Sequence, residues 1–136
     1  MPAQVTVKVF FEAAHRLHNP QRDAAWNSET FGKCNNAYGH GHNYCLEVTV
    51  EGDTSPETGY LIDMKVLKQL LEDTVVSQVD HRHLNHEVVW LDGVNPTAEN
   101  LAAVFFRRIA AELPPGLRLA KVTVHETDRN NASYWE

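Results

Sequence analysis

Cysteine is scarce: only Cys34 and Cys45 occur among the 136 residues. Two thiols cannot build the disulfide framework of small secreted domains, so a reducing, cytoplasmic setting is expected. Long apolar runs are missing too. No stretch approaches a membrane span, and the first residues show no basic and then apolar leader. Cationic residues are few, 12 Lys and Arg against 18 Asp and Glu, giving a net charge of −6. A nucleic-acid partner would favour a basic face, so that class is set aside. A phosphorylated small molecule is not excluded, because local charge decides there and Arg16, Lys33 and Arg82 lie near the residues of interest. Glycine-rich dinucleotide and phosphate loops are absent. Repeats, low-complexity tracts and linkers are absent as well, so residues 1–136 are expected to form one domain with its own core.

What the chain does have is alternation. Val5, Val7, Val9 and Phe11 share one parity, continued by Ala13 and His15, while Thr6, Lys8 and Glu12 take the other. Leu46, Val48 and Val50 share a parity with His40 and His42. Both segments read as half-buried strands, in which side chains alternate between faces. Paired antiparallel, the end of the first meets the start of the second, and His15 falls beside His40 and His42. Gly39 and Gly41 keep the intervening positions small. Three imidazoles on one face suit Zn(II) with a fourth position open to water or substrate. The alternative from the same residues is a closed structural site, with Cys34 as the fourth ligand.

About two dozen polar and small residues, 16–39, separate these strands and carry Cys34. A structureless loop that long is usually functional. A turn at 52–59 leads to a helix starting near Asp63, a plausible N-cap, with Val66, Leu67, Leu70, Leu71 and Val75 at helical spacing. A second helix follows Asn95-Pro96-Thr97, with Pro96 at its first position or Thr97 as its cap. Leu101, Val104, Phe105 and Ile109 form its buried stripe. Residues 118–127 read as a third strand with Ala120, Val122 and Val124 inward, and Ser133–Trp135 as a short fourth. This order predicts an α+β fold: a four-stranded antiparallel sheet with two helices on one face. The other face carries Phe10 and Cys45, so a neighbouring subunit is expected to cover it. Joining sheets around a ring would also remove the exposed edges.

Two polar constellations remain. Asp80 precedes His81, and a carboxylate can orient an imidazole, although adjacent residues often point apart. His83 and His86 read as surface residues. Glu126 has the parity of Val122 and Val124, so its carboxylate needs a partner: an arginine, or a ligand with adjacent N–H donors. Glu99, in the first turn of the second helix, is explained by the helix dipole.

Taken together, FEAAHRL, CNNAYGHGHNY, VDHRHLN, PTAENLA and VHETD stand in an order that resembles the 6-pyruvoyl-tetrahydropterin synthase family, from about Phe10 onward. The resemblance implies a T-fold (tunnelling fold), in which three subunits close a β-barrel and two trimers stack. It implies zinc on His15, His40 and His42, and Cys34 as general acid/base with Asp80 and His81 as partners. Glu126 would anchor a pterin ring, with Thr97 and Glu99 nearby.

The implied substrate is 7,8-dihydroneopterin triphosphate. Its side-chain hydroxyls would meet the metal, and Cys34 would move a proton from the side chain to the ring, with loss of triphosphate. No nicotinamide or flavin is needed for such an internal redox shift. The spacing Cys-x5-His-x-His looks like the branch that makes 6-pyruvoyl-tetrahydropterin. PTAEN looks as much like the branch that makes 6-carboxy-5,6,7,8-tetrahydropterin and acetaldehyde for queuosine and other deazapurines. Cys34 speaks against a third, aldolase-like branch that carries glutamate there. The non-enzyme alternative is a pterin-binding or structural-zinc protein.

Overall fold

Two long strands set the frame. In the computed structural model, which describes residues 1–136, β1 (Pro2–His15) and β2 (His40–Asp53) pair antiparallel along their whole length. Pro2 lies opposite Asp53 at one end, and His15 opposite His40 at the other. β-branched residues dominate the middle of both strands, where they suit a pleated, half-buried surface. The Thr6 and Thr49 hydroxyls meet across the pair at 2.8 Å.

The sheet has five strands and is mixed, not four-stranded and antiparallel as expected. β3 (Arg82–His83) lies parallel to β1 at Ala13 and Ala14. Two residues show no alternation, so the sequence could not reveal this strand. Its flanking amides hold it: His81 N–H donates to Glu12 O at 2.6 Å and Leu84 N–H to Ala14 O at 2.8 Å. β4 (Arg118–His125) pairs with β2, and β5 (Asn131–Tyr134) with β4, giving the order β3-β1-β2-β4-β5. Within one chain the sheet is open, with β3 and β5 at its edges. Thr49 faces Lys121 and Val50 faces Leu119, leaving Ala120 as the extra residue of a β-bulge. The bulge resets the alternation. Leu119, Val122 and Val124 therefore enter the core, and Ala120 does not.

Three helices of at least eight residues form, rather than two. α1 (Ala24–Phe31) lies inside the stretch expected to be loop. Asp23 caps it by accepting from Trp26 N–H at 2.8 Å. Its buried residue is polar: Asn27 accepts from Asn19 N–H and donates to the carbonyls of Asn19, Arg22 and Asp23. A helix organised by an asparagine carries no apolar stripe to read. α2 (Met64–Leu71) starts at Asp63, which accepts from Lys65 N–H, and runs on through a π turn (Glu72–Val76) to Ser77–Val79. Leu67, Leu71 and Val75 are buried, but Val66 is 54% exposed. α3 (Ala98–Ala110) begins at Thr97, whose hydroxyl accepts from Asn100 N–H at 3.1 Å, so Thr97 and not Pro96 marks the boundary.

α2 and α3 cover one face of the sheet, with Tyr44, Leu46, Val48, Leu101, Phe105 and Ile109 among the core residues between them. At roughly 1.5–3 kcal/mol for each large apolar side chain buried, this layer dominates the stability. The opposite face is open in the chain: Phe10 is 70% exposed and Cys45 half-buried.

Candidate metal centre

The end of the β1–β2 pair carries the chemistry. His15 is fully buried, on the face of Phe11 and Ala13, and its register partner is His40. His42 is two residues further along and shares the face of His40. The three rings pack edge to face, with centroids 4.7 Å apart for His15–His40, 5.0 Å for His15–His42 and 4.7 Å for His40–His42. The Nε2 atoms of His15 and His40 are 3.1 Å apart. Glu126, one residue past β4, brings Oε1 to 2.8 Å from His42 Nε2 and 3.6 Å from His15 Nε2. One ligand atom from each of these four residues lies within 4.8 Å of the others.

The protonation states suit a metal. His15 Nδ1–H donates to the Pro96 carbonyl at 2.8 Å, which leaves Nε2 as a lone pair facing the cluster. Burial pushes the His15 pKa below its ordinary 6.5, against the opposing pull of Pro96 O and Glu126. Burial also lowers His42, with Glu126 opposing and His40 reinforcing. Neutral imidazoles are what a metal requires. His42 Nε2 is buried without a hydrogen-bond partner, because its short contact with Glu126 is not directed along an N–H. An orphaned nitrogen of this kind calls for a further partner. The group therefore fits a metal ion.

Tyr44 continues the parity of His40 and His42. Its hydroxyl is 3.2 Å from His15 Nδ1, and burial drives its phenol far above the ordinary range.

Asp80 and His81 sit at the edge of β1, against Glu12. Asp80 Oδ1 accepts from Glu12 N–H at 2.9 Å and faces His81 Nδ1 at 3.0 Å. The amide of Glu12, with the imidazole second, holds the Asp80 carboxyl below the usual carboxylate range. His81 Nε2 is 3.5 Å from Glu12 Oε2, and the ring is 74% exposed. Its backbone is left-handed, φ 59°, which is uncommon outside glycine. A cleft of about 490 Å³, bordered by Glu12, Gly41, His42, His81, His83 and Glu87, runs between His81 of this pair and His42 of the metal group.

The model of the 6-pyruvoyl tetrahydropterin synthase family matches residues 4–136. The chain belongs to that family. The 6-pyruvoyl tetrahydrobiopterin synthase of Drosophila melanogaster is 40% identical over 132 residues, covering 97% of this chain and 79% of the relative. That of Homo sapiens is 39% identical, covering 97% and 90%. The solved 6-pyruvoyl tetrahydropterin synthase of Caenorhabditis elegans superposes with a TM-score of 0.92 at 36% identity, covering 100% of this chain and 96% of that one.

The remaining family motifs are more dispersed. Cys34 lies in a 3₁₀ turn (Gly32–Asn35), half-buried, and its carbonyl accepts from Leu17 N–H at 2.9 Å. Its sulfur is outside the histidine–glutamate group, and no hydrogen bond joins it to Asp80 or His81 within the chain. The Thr97 hydroxyl caps α3, and Glu99 is exposed on the first turn. The structure thus brings His15, His40, His42 and Glu126 together, pairs Asp80 with His81, and leaves Cys34, Thr97 and Glu99 apart. His83 is half-buried, not a free surface residue, and its ring is 4.4 Å from that of His86. Sequence reasoning missed Glu12, Tyr44 and the Pro96 carbonyl. The parity of Tyr44 could have found it; a backbone carbonyl leaves no signature in composition.

Proposed function

We propose that the protein is a zinc-dependent 6-pyruvoyl-tetrahydropterin synthase, a lyase converting 7,8-dihydroneopterin triphosphate to 6-pyruvoyl-tetrahydropterin with elimination of triphosphate. The observation that carries this reading is the convergence of three imidazoles and Glu126 beside a cleft lined by His42 and His81, in a chain of this family. His15, His40 and His42 would hold the ion. Bound Zn(II) supplies Lewis acidity toward substrate oxygens.

The chain's own residues handle the protons. Cys34 takes a proton from the substrate side chain and returns it to the pterin ring, assisted by Asp80 and His81. Asp80 keeps His81 oriented through Nδ1, a role its low carboxyl pKa suits. Cys34 lies apart from that pair within one chain, so the acid/base set is completed across a subunit interface. The open sheet face with exposed Phe10 suits the T-fold assembly, a trimer closing a barrel or a dimer of such trimers. Glu126 anchors the pterin ring: Oε1 faces His42, but Oε2 has no partner and can accept from a ring N–H. Thr97 and Glu99, at the start of α3, would assist in holding the pterin, a role that rests on the family motif. No helix is long and apolar enough to cross a membrane, and both thiols are free, as a cytoplasmic enzyme requires.

Product analysis tests the proposal. Mass spectrometry of the reaction of zinc-loaded protein with 7,8-dihydroneopterin triphosphate should give the pyruvoyl product and triphosphate. Acetaldehyde and 6-carboxy-5,6,7,8-tetrahydropterin would move the enzyme to the deazapurine branch, and no conversion would remove the assignment. An active monomer in sedimentation would contradict the shared site.

A further inference from the structure

A second cleft, of about 530 Å³, lies between the loop that follows β1 and the segment 85–95. None of its thirteen lining residues is acidic, in a chain whose net charge is −6. Its ionisable residues are Arg16, His18 and His86, and Trp26 and Phe31 form an aromatic wall with ring centroids 5.9 Å apart. That size is typical of a small-molecule site.

The polar groups are held in place and point to an acceptor-rich ligand. Arg16 is fastened through its main chain: its N–H donates to Asn85 Oδ1 and its carbonyl accepts from Asn85 Nδ2, both at 2.8 Å. Its Nε donates to Asn35 O at 3.0 Å, and the two terminal guanidinium nitrogens meet no acceptor in the chain. Asn35 Nδ2 is a donor only, so at 2.9 Å it fixes His18 Nδ1 as an acceptor. The proton of His18 then sits on Nε2, which has no partner. Asn95 Oδ1 accepts from His18 N–H at 3.1 Å, leaving its Nδ2 donors unused. Arg22 stands over Trp26, 4.6 Å from the ring centroid, and adds positive charge at the rim.

Oriented donors without a carboxylate select an anion with many acceptor oxygens, and a guanidinium matches phosphate best. The cleft is also tied to the metal group. Arg16 follows His15 directly, and Asn95 precedes Pro96, whose carbonyl holds His15. We infer that this cleft binds an oligophosphate, with Arg16, His18 and Asn95 as its donors. The substrate proposed above carries such a group, so the source of the oligophosphate rests on that reading.

Two arms test the inference. Equilibrium dialysis of inorganic triphosphate against the protein as purified, with zinc measured in the same sample, should show one bound anion per chain. Arg16→Gln and Asn95→Asp should each weaken binding about tenfold or more, with zinc content unchanged. Asn95→Asp keeps the acceptor for His18 N–H and replaces a donor by a charged oxygen, so it decides the matter if Arg16→Gln fails to fold. Unchanged affinity in Asn95→Asp and any folded Arg16→Gln overturns the site. In the second arm, the KM for dihydroneopterin triphosphate should rise in parallel while kcat holds. Weakened anion binding with an unchanged KM overturns the substrate's triphosphate as the source. Triphosphate binding by a wild-type protein that turns over no pterin leaves the cleft standing and removes the proposed reaction.

Discussion

Gly39→Ala would strike the metal group without touching a ligand. Gly39 sits at φ +78°, and a Cβ there would lie 2.8 Å from both His15 O and His83 Nε2. The histidine ring can swing away. The His15 carbonyl belongs to the backbone at the end of β1 and cannot. Left-handed backbone costs alanine roughly 1–2 kcal/mol, and forcing a methyl into a filled space costs roughly 1–3 kcal/mol. The sum is about 2–5 kcal/mol. Gly59 is the internal control, because it has φ +74° and nothing within 4 Å of its hypothetical Cβ. Gly59→Ala should show only the conformational part. Urea unfolding of both variants in chelator, compared at equal slope, isolates the contact term. Competition with a chromophoric chelator should then show weakened zinc binding for Gly39→Ala alone, because its methyl displaces His15. Equal destabilisation of the two variants with equal zinc affinity would refute the reasoning.

Cys34→Ala should retain zinc and its thermal transition but lose turnover by on the order of 10²-fold or more, whereas Cys45→Ala, whose thiol is pushed up by burial in a strand, should stay active. Release of zinc from Cys34→Ala would make the cysteine a ligand. Metal-free protein should lose stability in acid. His15 and His42 have folded pKa values below the ordinary 6.5, so the unfolded chain binds more protons, and the contribution present above that pH disappears as pH falls through the folded values. Thermal melts in chelator from pH 8 downward check this, and a flat profile across that window would contradict it. Asp80→Asn should keep the acceptor for Glu12 N–H, so stability should change by less than about 1 kcal/mol. The charge facing His81 is lost, so turnover should fall; unchanged turnover would remove Asp80 from the acid/base set.

Much of the fold was legible because alternation is a strong signal where one sheet face is buried. Val5 to His15 and His40 to Val50 carry uninterrupted parity, and that parity, with an antiparallel pairing in which the strand ends meet, sets His15 beside His40 and His42. The failures share a physical origin. Ala120 was assigned to the core because a bulge shifts parity without altering composition. β3 escaped because two residues have no period. α1 escaped because Asn27, not an apolar stripe, holds it in place. Within the candidate site, parity placed Glu126 on the inner face near a strand end, but its contact with His42 depends on a turn that follows β4. Cys34, Asp80 and His81 were connected by motif alone, and a single chain leaves the cysteine apart from the pair.

The bond from His15 to the Pro96 carbonyl reaches beyond the orientation of one ring. That carbonyl immediately precedes the residue that caps α3, so the first turn of a core helix and the lone pair of a buried imidazole share one peptide unit. Fraying of the helix and loosening of the metal group become a single event. By reciprocity, an ion held at His15 must slow amide exchange in the opening turn of α3 by the same free energy by which that turn's order strengthens its hold on the ion. A substitution far along the helix could then appear first as a leaky metal site.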